Sequence, residues 1–537
     1  MQIGVIVITE LIYCTLAVAL SFRIMNLVQL EGYRVVNSKK MKNIRLKLYG
    51  SAICITVCNA IFIFISAYVG NYYLQLITQG LYAVVLLVSL TDERDKCSHQ
   101  PLVFTARAKR LIVSFAIIIT IFIMIFVLLG HLIVIKGVNL SFVFIPLVFV
   151  LMPEIVALAL KANKPMEKTI ADKYIKNCAQ TLEKLDIIKI GITGSYGKTT
   201  VKNVLTTILN QKYNAYCTPS NFNTPLGICR AVNDLPSECE VFVAEMGARK
   251  VGDIKELCEI VKPTYGIITG VGSQHLGAFG SQQNIYNTKK ELADYLQSVN
   301  GEIVFNGENK YTRQMYDEFV GDKKCAISSG EFLSAKKDAE KIFVSDVECN
   351  SDGLKFLLHI GDESRECRSK LIGRHNLENI LLSVQLAAGL GLNIVQIAEG
   401  ISQLAPVEHR LQTIKLPTGI TIIDDSYNSN EEGAKLAIET LAMFSGRKIV
   451  ATQGIVEMGN EQKRVNFELG ESIASVADIA ILIGINREDI RLGMLSGNFC
   501  DKNIYLVEHL DNAKELFSAI LTRGDVLLLQ NDLPDNY

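Results

Sequence analysis

The 537-residue chain lacks several features that would point it toward particular classes of protein. It has no excess of either charge: 54 Lys and Arg stand against 55 Asp and Glu, a net charge of −1, so nothing marks a nucleic-acid surface. Its 13 cysteines include no C-x-x-C pair, which argues against a zinc site and fits reduced, buried thiols in a cytosolic compartment. Tandem repeats and low-complexity tracts are missing, which excludes solenoids and long disordered arms. The first apolar segment has no basic start and more apolar segments follow, so a cleaved signal peptide fits poorly.

What is present is unevenly spread. Long apolar runs crowd into the first 165 residues, and five membrane spans are expected near residues 3–22, 48–69, 73–90, 112–135 and 138–160. Arg23, Arg34, Lys39, Lys40, Lys42, Arg45 and Lys47 follow the first span; Arg94, Lys96, Arg107, Lys109 and Arg110 follow the third. The positive-inside rule then places the N-terminus outside and everything beyond residue 160 in the cytoplasm. Glu10 and Glu154 fall within or at the ends of these spans. Residues 162–186 read as a helical connector, with Met166, Ile170, Tyr174 and Cys178 four residues apart. The expected architecture is an all-α membrane domain over 1–165, an α/β nucleotide-binding domain over 166–404 and a Rossmann-like α/β domain over 405–537.

The chemistry centres on residues 187–200. A β-branched run from Ile187 to Thr193 reads as a buried strand, Gly194-Ser195-Tyr196-Gly197 turns, and Lys198-Thr199-Thr200 opens a helix. Such a turn packs backbone N–H groups around phosphate oxygens, and the helix N-terminus adds positive potential. Lys198 would reach the β- and γ-phosphates of ATP and Thr199 would hold Mg²⁺. The first glycine of the strict phosphate-loop pattern is missing, because position 192 is Ile.

Downstream segments supply candidate partners. Tyr216 to Gly227 is a loop carrying Asn221, Asn223 and Thr224 as polar contacts for substrate. Glu240 to Gly247 is an apolar strand that ends at Glu245, an acid suited to Mg²⁺ beside a triphosphate. A glycine-rich loop bears His275, and Asn287-Thr288-Lys289-Lys290-Glu291 is read as a helix start. Short strands with an Asn-Ser-Asp-Gly turn at 350–353 suggest a hairpin. Gly373-Arg374-His375-Asn376 leads into a long helix near Asn379.

Taken in order, GSYGKTT, NFNTPLG, AEMG, the His275 loop, NTKKE, GRHNLEN, EHRLQ at 408–412 and IIDDSYNSN at 422–430 resemble the Mur ligases, the ATP-dependent amide ligases of peptidoglycan precursor synthesis. The likeness spans about residues 186–530 and is strongest to the branch that joins D-alanyl-D-alanine to a UDP-muramoyl tripeptide. It implies that a carboxylate attacks the γ-phosphate of ATP and that an amine displaces phosphate from the resulting acyl phosphate. It implies catalytic roles for Lys198, Lys289 and His275, with Thr199, Glu245, His275 and a carbamylated Lys289 as metal ligands. His375, Asn376 and Asn379 would lie at the adenine, and Arg410 and Asp425 would reach back to the nucleotide from a domain that closes over it. Tyr427 and Asn428, beside Asp424, would meet substrate.

Three departures accompany the resemblance. Membrane spans stand where the family grips UDP. Gly270 and Asn466 replace a family Asn and His. The chain reads Gln530-Asn531-Asp532-Leu533-Pro534-Asp535-Asn536-Tyr537 where a Lys-Gly-Ser-Arg element is usual. The expected partners are therefore an envelope precursor, lipid-linked or otherwise membrane-presented, with an amino acid or peptide, the lipid bilayer of the cell membrane, and other envelope-synthesis enzymes. A membrane polyglutamate-synthase-like ligase and a non-catalytic ATP-binding scaffold are the alternative readings.

Overall fold

The computed structural model describes residues 102–132, 134–135, 138–139, 151–272, 276–326, 342–427 and 430–530, with a few positions between 22 and 33. The chain forms two compact units, Met1–Asp172 and Lys173–Asp535.

In the first unit the described part centres on the helix Ala106–Leu132. Leu111, Phe115 and Ile119, four residues apart, are buried, whereas Val113, Ile117, Ile121, Met124 and Leu128 are exposed. A helix packed only against a water-soluble core would carry polar residues on that outer face. Polar groups occur at its N-terminal end, where Arg110 forms a two-pronged ion pair with Glu167 (2.6 and 2.9 Å) and the Arg107 guanidinium lies 4.2 Å from the Tyr33 ring centroid.

The five-span expectation is not supported. Among the described residues one helix, over Ala106–Phe126, is long and apolar enough to cross a membrane. The expected spans at 3–22, 48–69 and 73–90 lie outside the described residues, apart from Phe22. The fourth span's helix begins earlier than expected, at Ala106, and runs to Leu132, after which β1 (Val134–Ile135) pairs antiparallel with β2 (Val138–Asn139), as the β-branched residues favour. β2 takes the first two residues of the expected fifth span, of which residues 140–150 lie outside the described residues. The next described helix begins at Met152, with Glu154 in its first turn, and continues through the polar connector to Lys184.

In the second unit, β3 (Ile188–Thr193), β4 (Ala215–Cys217), β5 (Val241–Glu245), β6 (Tyr265–Ile268), β7 (Glu302–Asn306) and β8 (Lys323–Ala326) form a parallel sheet in the order β4-β5-β3-β6-β7-β8. The expected strands at 187–193 and 301–306 are here. Their side chains are buried on both faces, as an apolar parallel strand with helices on each side requires. Successive strands are added on opposite sides of β3, so a crevice opens at its carboxyl end. Register sets Ile192 beside Glu245 and Thr193 beside Ile268, so the strand-end acid stands next to the turn that begins at Gly194. The helix Lys198–Leu209 buries Val201, Leu205 and Ile208 against the sheet. Each such side chain contributes about 1.5–3 kcal/mol.

The expected hairpin is a three-stranded antiparallel meander of β9 (Ile342–Asn350), β10 (Gly353–Ile360) and β11 (Glu363–Ser369). The Asn287–Glu291 segment does not start a helix. It lies within the helix Gln282–Ser298, whose cap is Ser281, its hydroxyl accepting from the Asn284 N–H. The GRHN segment opens the helix His375–Gly389, earlier than expected.

The C-terminal sheet contains all five expected strands and one more. Its order is β12-β13-β17-β14-β15-β16, from β12 (Gln412–Lys415), β13 (Thr421–Asp425), β14 (Lys448–Thr452), β15 (Ile479–Ile483), β16 (Ile504–Val507) and β17 (Val526–Gln530). The added β12 pairs antiparallel with β13 and carries Arg410 to the carboxyl end of that strand. The two sheets meet where the Gly277 N–H donates to the Glu457 carbonyl at 3.1 Å.

Candidate active site

The turn after β3 is built by close approach. Gly194 (φ 153°) and Gly197 (φ 75°) both have backbone angles that disfavour a side chain. A Cβ on Gly194 would fall 2.0 Å from Thr269 Oγ1, and one on Gly197 would fall 2.8 Å from Asn379 Oδ1. Ser195 is buried and donates its N–H to the Gly270 carbonyl. Lys198 folds back, its Nζ donating to the carbonyls of Gly194 (2.7 Å) and Ser195 (3.2 Å). Burial lowers its pKa to about 8, with Arg410 adding to the effect and Glu245 opposing it.

Glu245 is 2 % exposed, and its carboxylate is fully engaged. Oε2 accepts from Thr199 Oγ1 at 3.0 Å and faces Lys202 Nζ at 3.1 Å; Oε1 accepts from Asn223 Nδ2 at 3.0 Å. Burial alone would raise its pKa. The charges of Lys202 and Lys198 and the Asn223 amide outweigh burial and hold it below the usual carboxylate range. Lys289 is also buried, and burial followed by repulsion from Lys198 lowers its pKa to about 7. Lys198 therefore lies close enough to Glu245, Lys289 and Arg410 for their charges to interact, and Arg410 also feels Glu245.

From the C-terminal sheet, Arg410 is thrown forward between two left-handed residues, His409 (φ 59°) and Leu411 (φ 48°). Non-glycine residues keep such angles where the surroundings enforce them, often at functional sites. The Arg410 guanidinium lies 4.3 Å from the Tyr427 ring centroid. Asp425 accepts from the Leu411 N–H, and burial raises its pKa to about 7 against the pull of Arg410. Asp424 takes His409 Nδ1 at 2.8 Å.

Several expected residues have local roles in the structure. Thr224, itself exposed, caps the helix Pro225–Asn233, accepting from the Gly227 N–H, and the exposed Tyr427 ring lies against the Arg410 guanidinium. Asn223 faces Glu245, and Asn221 is exposed, as are Ser220 and Thr224 in the same loop. Asn379 donates to Asn376 Oδ1, and Asn376 donates to the Ile372 carbonyl. His375 is desolvated, which lowers its pKa to about 4 and keeps the ring neutral. Glu291 accepts from the N–H groups of Gly252 and Lys255 at the start of the helix Asp253–Val261. Thr200 lies partly buried in the first turn of its helix. His275 and Asn428 lie outside the described residues.

Both internal departures have a physical reason. A Cβ on Gly270 would meet the Tyr196 ring at 2.6 Å; the ring fills that space, and its hydroxyl accepts from Asn309 Nδ2 at 3.0 Å. Gly270→Ala should cost about 1–3 kcal/mol in denaturant melts through overpacking, and adding Tyr196→Ser should recover most of it. The buried Asn466 accepts from the Ile455 N–H and donates to the Ile455 carbonyl, both at 2.8 Å, which holds the loop after β14.

Sequence reasoning missed Lys202, Asn309 and the Tyr196–Gly270 pair. The signal for Lys202 was a charge in an apolar helical stripe, one turn after Lys198.

A strand, a glycine turn and a helix, with a lysine and a strand-end acid at the switch point of a parallel sheet, define a phosphate-binding α/β enzyme. Comparison with known proteins is more specific. Residues 192–387 match the Mur ligase middle domain, and residues 409–530 match the Mur ligase glutamate ligase domain. The UDP-N-acetylmuramoyl-tripeptide–D-alanyl-D-alanine ligase of Escherichia coli is 26% identical over 378 residues, covering 68% of this chain and 82% of that protein. A crystal structure of MurF from Acinetobacter baumannii superposes with a TM-score of 0.60 at 23% identity, covering 67% of this chain and 77% of that one. The MurF ligase of Thermotoga maritima, solved in complex with ADP, superposes at 0.58 with 25% identity, covering 67% and 80%. The chain belongs to the Mur ligase family and is MurF-like, an ATP-dependent acid–amino-acid ligase.

Proposed function

We propose that this protein joins D-alanyl-D-alanine, or a related amine, to a muramoyl peptide, and that it works at the cytoplasmic face of the cell membrane on a membrane-presented acceptor. The supporting observation for the chemistry is the convergence of Lys198, Glu245, Lys289 and Arg410 at the carboxyl end of β3. A carboxylate oxygen attacks the γ-phosphorus and ADP leaves. The amine then adds to the acyl phosphate, and phosphate leaves from the tetrahedral intermediate. Both steps gather negative charge on oxygen, so the site needs fixed cations and donors rather than a protein nucleophile. Lys198 and the N–H groups at the start of its helix would face the phosphates. Arg410, braced by Tyr427, brings a second cation from the closing domain.

The donors present fit Mg²⁺. Glu245 and Thr199 offer hard oxygens 3.0 Å apart, and such an ion takes few protein ligands beside nucleotide oxygens. Bound there, it would shield the phosphate oxygens from the incoming carboxylate.

Membrane attachment is supported by the helix over Ala106–Phe126, with a mean hydropathy of 2.3 and an apolar outer face, and by the basic residues Arg107, Lys109 and Arg110 at its start. The whole chain in detergent micelles, with ATP, Mg²⁺ and D-alanyl-D-alanine, should release ADP with a muramoyl tripeptide present and not without it. A lipid-linked tripeptide should outcompete the UDP-linked form. ADP release that ignores the peptide acid would defeat the ligase reading; a clear preference for the UDP-linked acceptor would defeat the membrane-presented one.

A further inference from the structure

Lys202 is a buried charge for which the mechanism above has no use. It is 1 % exposed on the sheet-facing side of the helix Lys198–Leu209, beside Val201, Val204 and Leu205. Lysines are almost never this buried unless paired, because an ammonium stripped of water must find compensating charge and acceptors. It has two partners. Nζ stands 3.1 Å from Glu245 Oε2 and donates to the Ser220 carbonyl at 2.7 Å. Spacing explains the first contact, since Lys202 lies three residues after Thr199 and the two share a helix face that meets the same carboxylate oxygen.

The second contact reaches the loop between β4 and the helix Pro225–Asn233. Ser220 is left-handed (φ 44°), an uncommon angle for a residue with a side chain. Its strained peptide presents the carbonyl to Lys202 and leaves Asn221 exposed to solvent. Asn223, further along the loop, donates to the other oxygen of Glu245, and its own carbonyl accepts from the Gly247 N–H at 2.9 Å. The loop is thus tied to the strand-end acid twice, once through Asn223 and once through Lys202.

We propose that Lys202 is a positioning residue. It supplies a resident cation to Glu245 that competes with a divalent metal for Oε2, and it pins the loop 219–224 so that the geometry of this loop and that of the acid are coupled. The loop's place beside an acceptor rests on the ligase reading above; the pin and the competition do not, and they can be measured on the free protein.

Two consequences have definite signs. Replacing Lys202 by Met keeps the stem and removes the charge. Glu245 then lacks its resident cation, so Mn²⁺ added without nucleotide should bind about tenfold tighter, as expected when an opposite charge is removed from beside the site. A residue that only maintained the fold would, on removal, weaken or abolish metal binding. The same change frees the Ser220 carbonyl, so amide hydrogen exchange over 219–224 should accelerate at least tenfold while the strands β3 and β5 keep their protection. In ligation, kcat should fall about 100-fold, as misplaced groups near a reacting centre do.

The test is performed on the whole chain in detergent. Mn²⁺ binding is followed by electron paramagnetic resonance, and exchange by mass spectrometry, for wild type, Lys202→Met and Lys202→Met/Glu245→Met. The double variant removes both charges and leaves no unpaired ion in the interior, so it serves if the single variant folds poorly. It should show fast loop exchange with native protection of the sheet, and no added Mn²⁺ affinity. Wild-type loop protection in either variant, or unchanged or weaker Mn²⁺ binding in Lys202→Met, would overturn the proposal. Failure of the wild type to release ADP would instead count against the ligase reading and leave these measurements standing.

Discussion

Lys198→Ala should lower acceptor-dependent ADP release by about 10²–10³-fold, the usual loss when a preorganised charge facing a developing oxyanion is removed. The lysine sits at the mouth of the turn, its Nζ held among the described residues by the carbonyls of Gly194 and Ser195. Exchanging those acceptors for phosphate oxygens replaces dipoles with full charges, so the contact strengthens on binding nucleotide and again as charge builds on the transferring group. Burial lowers its pKa to about 8. The free protein therefore loses this cation as pH rises through about 8, and kcat/KM should show an alkaline limb there. Bound triphosphate favours the protonated amine, so the limb in kcat should move to higher pH. Steady-state kinetics across pH, with a thermal melt of the variant as a folding control, check both points. Retention of more than a tenth of the wild-type rate by a folded Lys198→Ala protein would remove the phosphate loop from the mechanism.

Lys289 is the second large effect. Its side chain is buried in the helix Gln282–Ser298, and burial, then the charge of Lys198, lowers its pKa to about 7. A substantial fraction of the amine is then neutral at physiological pH, where an exposed lysine would be almost wholly protonated. A neutral amine can attack the carbon of CO₂ and lose a proton to give a carbamate. The product is an anion, which the Lys198 cation favours where it had disfavoured the ammonium. Protein depleted of CO₂ should lose most of its ligase activity, recover it with bicarbonate, and recover faster as pH rises through about 7. Labelled bicarbonate should give a carbamate carbon signal that Lys289→Ala lacks, and that variant should be slower by about 100-fold or more. Full activity in rigorously CO₂-free buffer, with no carbamate signal, would leave Lys289 as an unmodified buried amine.

The order of strands and turns in the second unit was readable because each signal was local. The β-branched run before Gly194, the apolar strand ending at Glu245 and the five C-terminal strands each announce themselves within a few residues. The errors came where a short competing signal was overlooked. Ser281, six residues upstream, caps the helix that holds Lys289, so the Asn287–Glu291 segment is a helix interior. Between the fourth and fifth expected spans, the two-residue strands Val134–Ile135 and Val138–Asn139 pair with each other. Hydropathy averaged over a long window does not register so short a pair of strands.

By itself the sequence determined the phosphate turn, the family to which its motifs belong and where most of the strands lie along the chain, because these depend on residues adjacent in the chain. Only the tertiary structure decided what Glu245, Asn223, Thr224, Lys202 and Gly270 each do. Glu245 meets Thr199 and Lys202 because parallel register sets the end of β5 against the start of a helix more than forty residues earlier. Gly270 makes room for a tyrosine from another loop. A buried charge needs a partner wherever the fold can supply one, and that partner's distance along the chain has no bearing on its distance in space.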